Sequence, residues 1–198
     1  PGNQNFLTPE FWQPMVETVH GTIVECNTAY PGERNTTDAH RRTMIKHGWS
    51  KLFDVDILDA EGPDLELPIP NGKRIQKNLV GKDIKNYDSM LVLSHFKGHP
   101  MGGFGGALKQ LSIGCASSAG KANIHGAGKP EEMWTTEQNA FLESMADAAE
   151  SVVKLFDGKI VYINVMKNMS VDCDCCAVAE DPCMKDIGIL ASLDPIAI

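Results

Sequence analysis

The spacing of apolar positions along the chain predicts helices and strands in alternation. Apolar residues recur every three or four positions in residues 9–19, 107–115 and 135–156, which predicts helices there, and Thr36 and Thr37 as caps with Gly48 as a stop predict a helix over residues 36–47. Short β-branched runs predict strands at residues 22–26, 55–58, 89–94, 159–165 and 187–190. This alternation is typical of an α/β fold with a mixed, mostly parallel sheet and helices on both faces, in three layers.

One turn signal interrupts the alternation. Asn71 and Gly72 lie between apolar residues, and this dipeptide favours a β-hairpin turn. Pro68 and Pro70 cannot donate a ladder hydrogen bond, which restricts such a hairpin to the edge of a sheet. We therefore expect an edge hairpin beside the main sheet.

Length and composition bound the class of protein. A chain of 198 residues with 42% apolar and 22% charged residues is expected to form a single α/β domain over residues 1–198. No apolar run approaches the roughly 18 residues that cross a bilayer, so we expect no membrane partner and a cytoplasmic location. The chain begins at Pro1, and Asp194-Pro195 looks like the start of a helix cut short, so a fragment of a longer chain is expected.

Charge is distributed unevenly along the chain. Asp and Glu outnumber Lys and Arg by 26 to 18, for a net charge of -8, yet no acid lies between Ser89 and Pro130. This acid-free stretch carries lysines at positions 97, 109, 121 and 129. A local positive field on an acidic protein favours a small anion over nucleic acid or an anionic membrane. We therefore expect a small anionic ligand and no nucleic acid.

Glycines follow the predicted central strand within the acid-free stretch. Four of them can bring backbone N–H groups close to a ligand, and a helix that begins there points its positive end at an anion. The motif matches neither a Walker loop nor the dinucleotide fingerprint, so a tight structural turn is the alternative. The residues expected to bind the ligand here are Lys97, Gly102, Gly103, Gly105, Gly106 and Lys121.

Three histidines lie in the same stretch. His95 and His99 are expected on the loop just past the central strand, where α/β sheets place catalytic residues. His125 follows residues 117–121, which are expected to form a flexible loop. We predict that these histidines transfer protons or bind a metal, with Lys109 as a catalytic anion partner. Ordinary structural histidines are the alternative.

Four of the six cysteines crowd together late in the chain. Thiolates at such short spacing repel one another unless a metal neutralises them, which favours a zinc or iron–sulfur site. A disulfide or reduced structural thiols are the alternatives. The predicted metal ligands are Cys173, Cys175, Cys176 and Cys183.

Arg34 lies in a loop, residues 27–35, that follows the first predicted strand. Its planar guanidinium can clamp a carboxylate or phosphate, so we predict that it binds the ligand. A surface ion pair with Glu33 or Asp38 is the alternative, and such a pair would contribute little stability.

These motifs resemble a known family. They are HFKGHPMGGFGGALKQLSIGCASSAGKANIH, with NTAYPGERNTT before it and VDCDC and DIGILASLDPIAI after it. Over nearly the whole chain they resemble domain of unknown function family 362, often labelled an uncharacterised iron-sulfur-centre protein. Members occur alone or joined to ferredoxin-like modules. The resemblance therefore implies a redox association, an iron–sulfur cluster or another metal, and a ferredoxin-like partner.

A more distant resemblance is to the nickel-pincer lactate racemases, whose glycine-rich segment also runs histidine, double glycine, lysine and a later histidine. It implies that His99 is an acid/base group, that Lys109 tethers a nucleotide-derived cofactor, and that His125 ligates nickel. This chain differs in having Ala107 and Leu108 between the double glycine and the lysine.

Two functions follow as expectations. The first is an oxidoreductase or a racemase-like acid/base enzyme that binds a small anion, or a nucleotide-like cofactor, between the glycines and Arg34. The second is a non-catalytic module that binds zinc, iron, nickel or an iron–sulfur cluster and docks onto a ferredoxin partner.

Overall fold

The structure, a computed structural model, describes residues 5–171 and 180–198. Its helices are α1 (Pro9–Val19), α2 (Thr37–Lys46), α3 (Trp49–Leu52), α4 (Ala107–Lys109), α5 (Ser118–His125) and α6 (Gln138–Leu155). Its strands are β1 (Ile23–Glu25), β2 (Val55–Ile57), β3 (Leu65–Pro68), β4 (Lys77–Val80), β5 (Met90–His95), β6 (Lys97–His99), β7 (Gly103–Gly105), β8 (Ile160–Met166) and β9 (Gly188–Ser192). Short 3-10 helices lie at Lys82–Asn86 and Pro130–Glu132. The chain is therefore mixed α/β, as the apolar pattern predicts.

The described strands form four small sheets. β5 lies parallel to β8, and β9 pairs antiparallel with β8. β1 and β2 form a separate parallel pair, whereas β3–β4 and β6–β7 are antiparallel hairpins. A three-layer arrangement around one mostly parallel sheet, as predicted from the sequence, is therefore not supported.

The two parallel pairs approach each other without joining. β1 and β5 line one cavity of about 130 Å³, together with Trp12 from α1 and Trp49 from α3. No hydrogen-bonded register links these two strands in residues 5–171 and 180–198. Large side chains at this border, and a β1 of only three residues, leave the parallel strands as two sheets.

The helices differ from their predicted bounds mainly at their ends. α1 and α2 match the predictions closely, and the Thr36 hydroxyl accepts the Ala39 N–H at the start of α2. α6 begins later than residue 135, because the Glu137 carboxylate accepts the N–H groups of Asn139 and Ala140 as its cap. The predicted 107–115 helix is α4 continued by a π-helical turn, Gln110–Gly114.

A hairpin forms where it is predicted, but it is a separate two-stranded sheet rather than the edge of the main sheet, and its connection is longer than a tight turn. β3 and β4 end their pairing at Pro68 and Lys77, so Asn71 and Gly72 lie inside a loop, residues 69–76. The buried carboxylate of Asp147, on α6, accepts three N–H groups of this loop, from Lys73, Arg74 and Ile75, at 2.7–3.0 Å. The loop is held by a tertiary contact rather than by local turn chemistry.

The core falls into three clusters of buried side chains. Val92 and Tyr162, on β5 and β8, pack with Leu111 of the π-helical turn after α4 and with Val152 of α6. Ile124 and Phe141 join α5 to α6 in a second cluster, and Trp12 and Val165 join α1 to β8 in a third. α4 and α5, which carry predicted site residues, are therefore anchored on α6. Within the part of the chain that the structure describes, no helix is long and apolar enough to cross a membrane.

Candidate functional site

The glycine-rich stretch forms a small hairpin rather than an open loop. β6 pairs with β7 so that Lys97 lies opposite Gly105 and His99 opposite Gly103. Gly103 has a φ of 74°, which favours glycine at the turn. The predicted glycine loop is therefore corrected to a β-hairpin, in which much of the backbone is already paired with backbone.

His99 closes the turn of this hairpin. Its Nδ1 accepts the N–H groups of Gly102 at 3.0 Å and Met101 at 3.3 Å. Because a backbone N–H can only donate, the ring of neutral His99 carries its hydrogen on Nε2. His99 is thus set as a hydrogen-bond donor through Nε2.

The hairpin is fixed at both ends. Gly98 N–H donates to the Ser170 carbonyl at 2.9 Å, and a Cβ at Gly98 would overlap the carbonyl oxygen of Val171. At the turn, the Gln138 side chain donates to the Met101 carbonyl at 3.1 Å. The hairpin therefore spans from the segment after β8 to the start of α6.

The start of α4 is closed by protein groups. The Ala107 N–H donates to Oδ1 of buried Asn164 at 2.8 Å, and Gly106 packs against Asn164 and Phe96. The Ala107 N–H is therefore already bonded within the protein, and anion binding at this helix end stays a prediction. Phe104, just before this helix end, is exposed on β7 and stacks on Phe96.

Lys109 lies in the first turn of α4, as predicted, and its side chain turns toward the hairpin. Its Cδ lies 3.7 Å from the position that a Cβ on Gly105 would take, and the Cγ of Lys97 lies 4.0 Å from the same position. Lys97 and Lys109 therefore flank Gly105 side by side. Lys109 has neither a hydrogen-bond nor an ion-pair partner in the described residues. Burial, and then the nearby charge of Lys121, lower the pKa of Lys109 to about 8.

The segment before His125, expected to be flexible, is helix α5. The Ser117 hydroxyl accepts the Gly120 N–H at 3.1 Å and donates to the Leu79 carbonyl at 2.8 Å, which caps the helix and ties it to β4. Lys121 is only 8% exposed, and its ammonium donates to the Ala116 carbonyl at 2.8 Å. α5 therefore holds Lys121 and His125 one turn apart in fixed positions.

His125 is oriented by two contacts. Its Nδ1–H donates to the Lys121 carbonyl at 2.7 Å, and its ring stacks on Phe141 with centroids 4.9 Å apart. The lone pair of the neutral ring is therefore on Nε2. Burial lowers the pKa of His125, and the charges of Lys109 and Lys121 lower it further, against the opposing hydrogen bond to Lys121.

Arg34 reaches the same region through its loop. Asp59, just past β2, accepts the N–H of Asn27 with one carboxylate oxygen and that of Ser118 with the other, both at 2.8 Å. This carboxylate docks the loop after β1 onto the start of α5. Burial, the largest cause, and the nearby charges of Arg34 and Lys121 together lower the pKa of His40 to about 4.

Sequence reasoning missed His40, Asn27 and Asp59. His40 is 1% exposed, and its Nδ1–H donates to Oδ1 of Asn27 at 3.3 Å. Asn27 and Asp59 each lie two residues past a parallel strand, β1 and β2, where polar residues of α/β proteins gather. That position past a strand was the signal that could have found them.

His95 is held by the segment after β8, and it lies near enough to Lys97 for the charge of that lysine to lower its pKa. It ends β5, and its Nε2–H donates to the Lys167 carbonyl at 2.6 Å, on the segment after β8. Burial is the main cause that lowers the pKa of His95. In residues 5–171 and 180–198 no three His, Cys, Asp or Glu side chains come together as a metal site. A shared histidine metal centre is therefore not supported there.

Of the four predicted cysteine ligands, Cys173, Cys175 and Cys176 lie outside the described residues. Cys183 is exposed, and both its N–H and its thiol donate to the Met169 carbonyl, at 2.9 Å and 3.6 Å. Met169 precedes Ser170, the residue that holds the hairpin, so Cys183 lies near the base of β6.

The geometry brings four predicted residues into what we call the cation cluster, defined as Lys97, Lys109, Lys121 and His125. Arg34 lies near it, since Arg34 and Lys121 both act on His40.

A family model described as Domain of unknown function (DUF362) matches residues 1–198. The chain belongs to the DUF362 family. Comparison with curated proteins and with solved structures gives no match. DUF362 membership confirms the family resemblance, and the description of the family names no reaction.

Proposed function

We propose that this DUF362 chain is an acid/base enzyme that binds a small anionic ligand at the cation cluster. The observation that carries the proposal is Lys109, a partly buried amine that lacks a partner among the described residues. A buried cation without a counter-ion costs free energy, and a bound anion would remove that cost. No acid lies in the stretch that supplies the cluster to compete for its charges.

Residues in and beside the cluster have separate tasks in this proposal. Lys97 and Lys109 bind a carboxylate or phosphate side by side, and Arg34 can take a second anionic group. His125, neutral and with its Nε2 lone pair available, is the general base. His99 donates a hydrogen bond through Nε2. The same cations would bind the phosphates of a nucleotide-like cofactor.

The first experiment tests ligand binding. Wild-type protein and the Lys109→Met variant are titrated calorimetrically with phosphate, pyruvate, each enantiomer of lactate, and ADP. We expect Lys109→Met to weaken binding about tenfold or more, since a charge-assisted hydrogen bond contributes roughly 1.5–3 kcal/mol. The unfolding temperature should hold or rise, because the removed charge has no partner in residues 5–171 and 180–198. Lys85→Met, at an exposed lysine, is the matched control.

A drop in the unfolding temperature with unchanged anion binding would show that Lys109 is structural.

The general base is tested separately, by NMR in deuterated water, on any anion that binds. His125→Gln should slow hydrogen–deuterium exchange of the bound anion, or its turnover, about 100-fold or more while anion binding persists. Equal rates in the variant and the wild type would remove His125 from this role.

The second candidate is a metal-binding or electron-transfer module that docks onto a ferredoxin-like partner. Its supporting observation is the contact of Cys183 with Met169, beside the hairpin that Ser170 holds. Anaerobically purified protein should then contain iron, zinc or nickel near stoichiometry, and Cys183→Ser should lower that content. Metal-free, fully reduced protein of unchanged stability would eliminate this candidate.

A further inference from the structure

The surroundings of Lys109 suit an amine that reacts with a ligand. Its stem lies against Gly105, and its nitrogen has no carboxylate or carbonyl partner in the described residues. The neighbouring Lys121 is fixed by its bond to the Ala116 carbonyl, so a positive charge stays beside Lys109. A lysine that is partly desolvated and next to another cation is activated as a nucleophile.

The neighbouring base completes what such a nucleophile needs. His125 keeps its Nδ1–H on the Lys121 carbonyl, so its Nε2 can accept and return a proton without reorienting the ring. Stacking on Phe141 holds the ring in place. Imine formation requires these transfers, because a proton must leave the attacking nitrogen and another must reach the departing oxygen.

We propose that Lys109 forms an imine with an anionic carbonyl compound of the 2-oxo acid class, whose carboxylate lies between Lys97 and Lys121. This inference rests on the anion site proposed above and adds a covalent step to it. The amine nitrogen attacks the carbonyl carbon, and His125 moves a proton from nitrogen to oxygen. The hydroxyl of the resulting carbinolamine, protonated by His125, leaves as water as the carbon–nitrogen double bond forms.

Chemistry selects an anionic carbonyl compound over a neutral one. Two cations flank the amine, so a carboxylate one bond from the carbonyl would bring the reacting carbon next to nitrogen. With a pKa of about 8, Lys109 has a deprotonated fraction near neutral pH that is on the order of 100-fold larger than that of an ordinary lysine.

The experiment uses the whole chain with pyruvate as the probe. Protein is incubated with pyruvate, reduced with sodium borohydride, and analysed by intact mass and peptide mapping. We expect one adduct, with the mass of pyruvate less water plus two hydrogens, on Lys109. Acetone, a neutral carbonyl compound, should give far less of the corresponding adduct. Lys109→Arg should lose the adduct, and Lys85→Arg should keep it.

Calorimetry on the same samples separates the two proposals. Lys109→Arg keeps the charge, so pyruvate should still bind to it without an adduct. Pyruvate binding to wild-type protein with no adduct on Lys109 would overturn the imine and leave the anion site standing. Adducts spread evenly over exposed lysines would also overturn the imine. If the wild-type protein shows no pyruvate binding and no adduct, both proposals are wrong.

Discussion

At the scale of single residues, His40 shows how a buried polar group ties the candidate site to the fold. Its ring is 1% exposed and donates to Asn27, in the loop that carries Arg34. Burial, Arg34 and Lys121 together lower its pKa from 6.5 to about 4. The folded protein therefore holds His40 neutral where an unfolded chain would bind a proton.

This difference predicts acid sensitivity. The unfolded state binds more protons than the folded state between pH 6.5 and about 4, so the stability present above pH 6.5 is lost as the pH falls. His40 alone should cost about 2 kcal/mol of the free energy of unfolding between about pH 7 and pH 5. Urea unfolding at the two pH values measures this loss.

Two variants isolate the contribution of His40. His40→Gln keeps a donor for Asn27 and should be less stable near neutral pH, but it should lose markedly less stability on acidification. His20→Asn changes an exposed histidine with a φ of 50°, a conformation that Asn tolerates, and should retain the wild-type acid sensitivity. The same acid loss in His40→Gln and the wild type would contradict the assignment.

At the scale of elements, α6 organises the parts that surround the cation cluster. Its apolar face supports α4 and α5, and its Glu137 and Gln138 lie at the end that meets the β6–β7 turn. One turn before the middle of the helix, Glu143 pairs with Lys73 and Arg74 at the surface. Asp147, one turn later, is 8% exposed and holds the backbone of the same loop.

These two carboxylates should differ sharply in their effect on stability. Asp147→Ala leaves three loop N–H groups without their acceptor and should cost about 3 kcal/mol in the free energy of unfolding. Asp147→Asn should cost less than Asp147→Ala in the free energy of unfolding, since its single amide oxygen still accepts a hydrogen bond. Glu143→Gln, which breaks solvent-exposed pairs with the same residues, should change the denaturation midpoint little. Chemical denaturation of the three variants provides the comparison, and similar costs at both positions would refute the argument.

At the scale of the whole molecule, charge and apolar surface are separated. The net charge is -8, yet the fold gathers Lys97, Lys109 and Lys121 on neighbouring elements. Apolar surface is concentrated instead at β9, which pairs with β8 on one side and exposes Ile189 and Leu190 by about half. An exposed apolar strand of this kind can pair with another chain.

We expect Ile189→Lys to reduce self-association of the isolated chain without lowering its unfolding temperature, since a charged side chain blocks edge pairing. Sedimentation velocity over a range of protein concentrations measures the effect. Ile189→Thr, which removes apolar surface without adding charge, should act more weakly. A fall in the unfolding temperature of Ile189→Lys would mean that this side chain supports the fold instead.

The sequence by itself determined the local elements, and its charge pattern predicts a small anionic ligand. Periodic apolar residues predict α1 and β8 closely, and cap and stop residues predict α2, because helix and strand signals each lie within a few neighbouring residues. The lack of acids around Lys97, Lys109 and Lys121 is visible in the letters alone. The DUF362 motifs were recognisable for the same reason, since a motif is a local pattern.

Only the tertiary structure decided which residues meet. Asp59 and Ser117 turn a segment expected to be flexible into α5, through bonds to residues far away in the chain. Asn164 fills the helix end that was expected to take the anion, and the carbonyl of Lys121 sets the tautomer of His125. The division of the described strands into four sheets was likewise not predictable from the sequence. Long-range pairing depends on packing between distant segments, and such contacts leave no periodic pattern in the sequence.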